Sequence, residues 1–204
     1  MVKQDDHLSF NKSKDFLKQT LVQHVIISNE VLKDLIDLFE PVQFEKNHEI
    51  FKAGDIPQYL HFICKGIIKI SYYNDEKEII DRFAEEGAFF GDMHSYITKQ
   101  PINQTYEAIE NVELLRIKYS DIEIQLQASK EVEKALRVIQ SLYYSNYVQQ
   151  TQSIKSLSAE KKYNLFMSEY KHANRIPLKY IANYLGMTPE TLSRVRAKYD
   201  THRK

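Results

Sequence analysis

The sequence predicts an α+β chain in four parts: N-terminal helices, a double-stranded β-helix of the jelly-roll type, one long helix, and a closing helix-turn-helix. Three observations predict it. Residues 42–117 are filled by short runs rich in β-branched and aromatic residues, separated by turn residues. Residues 119–153 contain neither Gly nor Pro and carry apolar residues at helical spacing. Residues 176–204 place two short amphipathic stretches on either side of a single glycine.

Bulk composition narrows the classes. A chain of 204 residues allows one or two domains, at roughly 100–200 residues per domain. With 43% hydrophobic and 27% charged residues the profile is that of an ordinary globular protein. No apolar run approaches the roughly 20 residues a membrane helix needs. The opening MVKQDDHLSFNKSKDFLK lacks the apolar segment of a signal peptide. Cys64 is the single cysteine, which leaves no internal disulfide and no cysteine cluster for a metal. These features predict a cytoplasmic protein with no membrane partner. The net charge is zero, yet residues 155–204 hold eleven Lys and Arg against four Asp and Glu, a surplus of +7 that leaves −7 elsewhere. Such asymmetry suits a C-terminal segment that meets a polyanion; the plain alternative is a solvated basic face.

The elements follow in order. Residues 12–39 read as helical, with Phe16, Leu17, Leu21 and Val25 at helical spacing. Ser28-Asn29 offers an N-cap for VLKDLIDLF, and Pro41 blocks further helix. Eight short strands' worth of sequence then runs from VQFE to VELLRI, broken at Lys46-Asn47, Gly54, Gly66, Asn74-Asp75-Glu76, Gly87 and Asn111. Many short strands at this spacing indicate a sandwich or barrel.

The long helix carries Val132, Leu136, Ile139 and Tyr143 in a 4-3-4 pattern, with Ala135 and Leu142 beside them. Its seam continues to the polar Asn146 and Gln150. The stripe outruns the length needed to cover one sheet face, which favours pairing with a second copy of the chain. A buried Asn146 in that seam would fix the register at some cost in stability. The alternative is that the stripe packs on its own β-domain.

Residues 158–172 form a further helix with Ser158 as candidate cap and Leu165, Phe166 and Tyr170 on its apolar face. LKYIANYLG then supplies the first helix of the closing pair, Gly186-Met187-Thr188 the turn, and Pro189 the first position of the second helix. Leu192 and Val195 face inward. Thr188, Pro189, Glu190, Thr191, Ser193, Arg194, Arg196 and Lys198 remain for the outer face and its ends. These groups suit a DNA major groove: Arg binds guanine O6 and N7 in bidentate fashion, Glu accepts from cytosine N4, and each such pair gives roughly 1–3 kcal/mol of discrimination. The lysines add a salt-dependent phosphate attraction.

The order of parts resembles the CRP/FNR family of bacterial transcription regulators from about residue 28 onward. The motifs that carry the resemblance are GAFFGDM at 87–93, the IEN-VELLRI strand pair, and IANYLGMTPETLSRVRAK at 181–198. The family's E-T-x-S/G-R recognition pattern is matched by Glu190, Thr191, Ser193 and Arg194, which implies that Glu190 and Arg194 touch bases. Pro189 stands where the family often has a basic residue. The resemblance implies a homodimer on a palindromic double-stranded operator, with RNA polymerase as a further partner. It divides the chain into a sensor roll at 1–128, a dimerisation helix at 129–155 (Val132, Leu136, Ile139, Tyr143, Asn146) and a DNA-binding unit at 156–204.

Two departures qualify it. Cyclic-AMP-binding members hold the cyclic phosphate on an Arg-Ser-Ala some ten residues after a Gly-Glu. Here Gly91-Asp92 keeps the first part with a shorter acid, and Ile102 stands where the arginine belongs. Gly91, Asp92, Met93, Asn103, Gln104 and Thr105 mark the corresponding effector pocket, but no cation is expected inside the roll to neutralise a phosphate. Cyclic AMP is therefore not expected as a ligand, and no cofactor is. The chain also stops nine residues after Val195, so the hairpin wing that usually follows is expected to be truncated, with Arg203 and Lys204 as a phosphate-touching tail.

Other chemistry finds little footing. His48, His61 and His94 lie in the roll without HxH or HxxxH spacing, so no metal site is expected. Cys64 sits in the buried-strand pattern YLHFICKG, where a small inert hydrophobe is the default. No Walker, GxSxG or GxGxxG motif is present, and no enzymatic activity is expected. The competing function is a degenerate sensor or protein-interaction module that has lost DNA binding.

Overall fold

A computed structural model describes residues 4–201, with side chains described for 10–145, 147–148 and 157–199. The side chains of Asn146 and Gln150 and the tail residues Arg203 and Lys204 lie outside the described residues, as does everything that bears on a wing.

The predicted N-terminal helical stretch is two helices, α1 (Gln4–Val22) and α2 (Asn29–Asp37), joined by a turn that still buries Val25. Ser28 occupies the N-cap of α2, although its side chain makes no capping bond there. Pro41 lies in the strand that follows rather than in a terminated helix. It is tolerated because that strand is at the edge of its sheet.

Eight strands build the roll: β1 (Glu40–Phe44), β2 (Glu49–Phe51), β3 (Tyr59–Lys65), β4 (Ile68–Asn74), β5 (Lys77–Ala84), β6 (Phe89–Phe90), β7 (Thr105–Ala108) and β8 (Val112–Lys118). A short helix, α3 (Met93–Thr98), interrupts them after β6. They form two antiparallel four-stranded sheets in the orders β1-β8-β3-β6 and β2-β7-β4-β5. The β4–β5 hairpin turns on Asp75 and Glu76, both at positive φ (47° and 65°), the geometry whose twist matches paired strands.

Residues 119–153 were expected as one helix and are two, α4 (Tyr119–Ala128) and α5 (Lys130–Ser156). Ser129 breaks them. It adopts an extended conformation, and its hydroxyl accepts from the Val132 amide at 3.4 Å, capping α5. The sequence had no Gly or Pro to mark this stop; the capping serine was the available signal. The chain closes with α6 (Ala159–Glu169), a 3-10 turn (Ala173–Arg175), α7 (Leu178–Tyr184) and α8 (Pro189–Thr201).

Three apolar clusters hold these parts together. Phe51, Ile63, Ile68, Ile70, Phe90, Ile102, Tyr106 and Leu114 fill the space between the sheets. Leu17, Leu21, Leu32, Ile36, Phe62, Leu115, Tyr119 and Ile122 join α1, α2 and α4 to the first sheet. The third runs from Ile67, Ile80, Phe83 and Ile109 of the roll into Tyr163, Phe166, Tyr170, Ile181, Leu185, Leu192 and Val195 of the C-terminal helices. The roll and the helix pair therefore share one core. Among the described residues, no helix is long and apolar enough to cross a membrane.

Candidate nucleic-acid interface

The closing helices are shaped by local chemistry. Helix α7 ends in paired bonds from the Met187 amide to the Ala182 carbonyl (2.8 Å) and from the Gly186 amide to the Asn183 carbonyl (3.0 Å). That motif requires a left-handed residue, and Gly186 supplies it at φ 65°. Thr188 then caps α8, its hydroxyl accepting from the Thr191 amide at 3.2 Å. Pro189 opens the helix where its missing N–H has no partner to lose. Leu192 and Val195 are buried against α6 and α7, at 1% and 7% exposure.

Thr188, Pro189, Glu190, Ser193, Arg194, Arg196 and Lys198 are exposed, while Thr191 is half-buried beside Thr188. The Glu190 carboxyl lies below the usual carboxylate range because its own amide, the Thr188 hydroxyl and the nearby Arg194 charge all favour the anion. Glu190 and Arg194 stand one turn apart on the outward side. Lys198 departs from a simple phosphate-binding picture: its ammonium meets Glu160 of α6 at 2.7 Å.

The residues of the expected effector pocket make the following contacts. The Asp92 carboxylate caps α3, accepting from the Ser95 amide at 2.8 Å. Met93 packs outward with α1 and α4, and Asn103 is exposed. Gly91 is pressed against the Tyr119 hydroxyl, where any side chain would collide, and an added Cβ would sit 3.1 Å from the Tyr59 carbonyl. Thr105 accepts from the Ala53 amide at 3.4 Å. Ile102 is buried between the sheets at 7% exposure, pinned by its amide to Asp55 (2.9 Å) and its carbonyl to Gly54 (2.8 Å). His61 stacks on Phe90 at 4.9 Å in the same interior. Burial and the Arg116 charge push its pKa down to about 3, so it is neutral there. Cys64 is half-buried and burial pushes its thiol up, away from thiolate reactivity.

Sequence reasoning missed two cations. Lys69, on β4, is 3% exposed and pairs with Glu78 (2.6 Å) and Glu107 (2.8 Å). Arg82, on β5, pairs with Asp81 and lies 5.7 Å from the Tyr147 ring of α5. Strand register explains how two consecutive residues share a side: Ile70 faces Arg82 while Ser71 faces Ile80, so Asp81 is the extra residue of a β-bulge. Gln104 donates to the same Asp81 carboxylate at 3.4 Å and accepts from Tyr106 at 3.4 Å. Arg82 is thus already balanced by an internal acid. An unbroken alternation of strand residues would have put Asp81 and Arg82 on opposite faces, which is why the pair was not legible.

The α5 stripe is divided. Val132 is buried, and Leu136 and Ile139 pack on the α1–α4 cluster of their own chain. The Tyr143 hydroxyl accepts from the Phe89 amide at 2.5 Å. Leu142 and Tyr144, off that stripe, are 40% and 72% exposed. Within one chain, Leu136 and Ile139 of the predicted stripe thus lie against the roll's helical cluster, while Tyr143 is 43% exposed.

Comparison with known proteins agrees with this architecture. The cyclic nucleotide-binding domain family matches residues 41–129. No curated protein matches the sequence. Among solved structures, FixK2 from Bradyrhizobium japonicum is similar with a TM-score of 0.71 at 20% identity, over 80% of this chain and 85% of that one. The c-di-GMP responsive global regulator CLP of Xanthomonas campestris gives 0.66 at 16% identity, over 86% and 93%. The catabolite activator protein of Thermus thermophilus gives 0.52 at 19% identity, over 86% and 85%. Residues 41–129 thus match the cyclic nucleotide-binding domain family, and the chain as a whole has the fold of the CRP/FNR regulators.

Proposed function

We propose that this chain is a homodimeric, sequence-specific DNA-binding transcription regulator, divided into a sensor roll (1–128), a dimerisation helix (129–155) and a DNA-binding unit (156–204). The observation that carries the reading is α8: a helix whose N-terminal end is fixed by a local cap, its apolar side in the shared core, and Glu190, Ser193 and Arg194 exposed on the other side. A palindrome with half-sites about one helical turn apart is the target that two such helices would read. The second copy packs along α5, where Leu142 and Tyr144 are exposed. The roll does not take cyclic AMP in an arginine-dependent manner, because Ile102 fills the position of the expected cation. The protein works in the cytoplasm and meets RNA polymerase on the promoter.

A gel-shift series with genomic fragments at stepped salt concentrations tests this. With about six phosphates contacted, log K falls with log salt at a slope of about −5. Sequence preference that survives at moderate salt supports the reading. No binding at low salt leaves an interaction module without DNA affinity.

A further inference from the structure

Strand β5 is the outer strand of its sheet, and edges of this kind normally leave backbone groups unpaired. Here side chains of the C-terminal helices take up several of those groups: the Tyr170 hydroxyl accepts from the Phe83 amide at 3.4 Å, and Asn183 takes two more. The Asn183 carboxamide accepts from the Ile80 amide at 2.8 Å and donates to the Glu78 carbonyl at 2.9 Å. Asn183 belongs to α7, the first helix of the closing pair, 103 residues further along the chain than Ile80. We propose that Asn183 is a positioning residue: it fixes the helix pair against the roll and so sets the half-site separation that a dimer reads.

The geometry supports this in three steps. First, apolar contact alone is non-directional. Phe83 touches the rings of Phe166, Tyr170 and Tyr184 at 5.7–6.1 Å, which holds the helices to the roll. The Lys171 and His172 amides donate to Glu85 (2.9 Å each) and Arg175 pairs with Glu86 (2.8 Å), which fixes the segment before α7. Asn183 bonds the strand backbone from α7 itself. A planar carboxamide bonded at two points of a strand fixes both position along it and rotation. Second, α8 follows α7 through the Gly186 turn and the Thr188 cap, both locally bonded, so its orientation is inherited from α7. Third, Ile80 adjoins the bulge at Asp81, and Arg82 beyond it lies under Tyr147 of α5. One short stretch of β5 therefore touches the proposed reading head at its outer edge and the proposed dimer helix on its other side. The buried Lys69 ammonium, 4.7 Å from the Tyr180 ring of α7, adds a further polar contact across the same seam.

This role rests on the DNA-binding reading, and the experiment separates the two. The full-length chain, Asn183→Ala and Asn183→Asp are each used to select from a duplex library. The library carries two randomised half-sites whose separation is stepped by single base pairs around one turn, about 10 base pairs. Hydrogen exchange is followed at the Ile80 and Leu192 amides. The wild-type chain is expected to prefer one separation by about tenfold over its neighbours, and Asn183→Ala to flatten that preference to about threefold or less while keeping the same half-site sequence. Its Ile80 amide should lose protection by about a hundredfold or more while Leu192 keeps its own. Asn183→Asp, which can accept from Ile80 but opposes the Glu78 carbonyl, should fall between; it decides the matter if the alanine variant fails to fold. Variants with the wild-type separation profile overturn the positioning role. A wild-type chain that selects no duplex overturns the DNA-binding reading, and the positioning role falls with it.

Discussion

Lys69 stands 2.6 Å from Glu78, with its own side chain only 3% exposed. Burial pulls the Lys69 ammonium down, but its bonds to Glu107 and Glu78 outweigh that and raise it above the ordinary lysine value. For Glu78, burial raises the carboxyl, and Lys69 and the Ser71 hydroxyl more than reverse this, leaving it below the usual range. The partners that set these shifts lie on β4, β5 and β7, so they tie the stability of that sheet, beside α7, to pH.

The direction of that dependence follows from the shifts. A depressed Glu78 contributes stability that is complete above its ordinary value of 4.5 and is lost as pH falls through its folded value. A raised Lys69 contributes stability that is complete below 10.5 and is lost as pH rises through its folded value. Thermal unfolding followed from pH 7 downward should therefore show a falling Tm below about pH 4.5, and Glu78→Gln should flatten that limb. Lys69→Met, which leaves two carboxylates facing each other, should cost about 2–3 kcal/mol at neutral pH.

The shared core predicts cooperative unfolding of roll and helix pair. Phe166 is 1% exposed and packs on Phe83 of β5. Phe166→Ala should cost about 3–5 kcal/mol. Denaturant titration monitored by helix signal and by tyrosine environment should give coincident transitions in the wild-type chain. Separate transitions would show that the two parts unfold independently.

Gly91 and Tyr119 form a close contact that can be tested by size. Gly91→Ala should cost about 1–3 kcal/mol, because its methyl group enters space held by the Tyr119 hydroxyl. That hydroxyl is buried without a hydrogen-bond partner among the described residues. Tyr119→Phe alone should be close to neutral or stabilising, and in combination it should recover part of the Gly91→Ala loss. Purely additive effects in the double-mutant cycle would contradict the contact.

The roll interior predicts its ligand behaviour. With Ile102 buried and Arg82 already paired to Asp81, a cyclic phosphate would enter without a free cation. Isothermal titration with cyclic AMP should show no saturable heat; low-micromolar binding would contradict this.

Much of the fold was legible because its signals are local. The turn residues at Gly54, Gly66 and Asn74–Glu76 punctuate the strands, and the Gly186–Pro189 turn fixes the helix pair within a few residues. What was not legible depends on pairing across distance. The break at Ser129 looked like continuous helix because Ser is neutral until its hydroxyl caps something. The bulge at Asp81 requires knowing the partner strand. Asn183 has nothing to single it out within LKYIANYLG; only the docked sheet edge shows that its carboxamide bonds two backbone groups of β5. The outer face of α8 was legible residue by residue, whereas the pairing of Lys198 with Glu160 on another helix was not.

The most direct test of the central claim is the effect of Arg194→Ala on selectivity. Affinities for a selected palindrome and for a scrambled duplex of equal length are measured at one fixed salt concentration. If α8 reads bases through Arg194, the ratio of the two affinities should drop by about tenfold or more per half-site while scrambled-duplex binding changes by less than about threefold. Equal weakening on both duplexes would mean that Arg194 touches only phosphates, and unchanged binding on both would mean that α8 is not the surface that meets DNA.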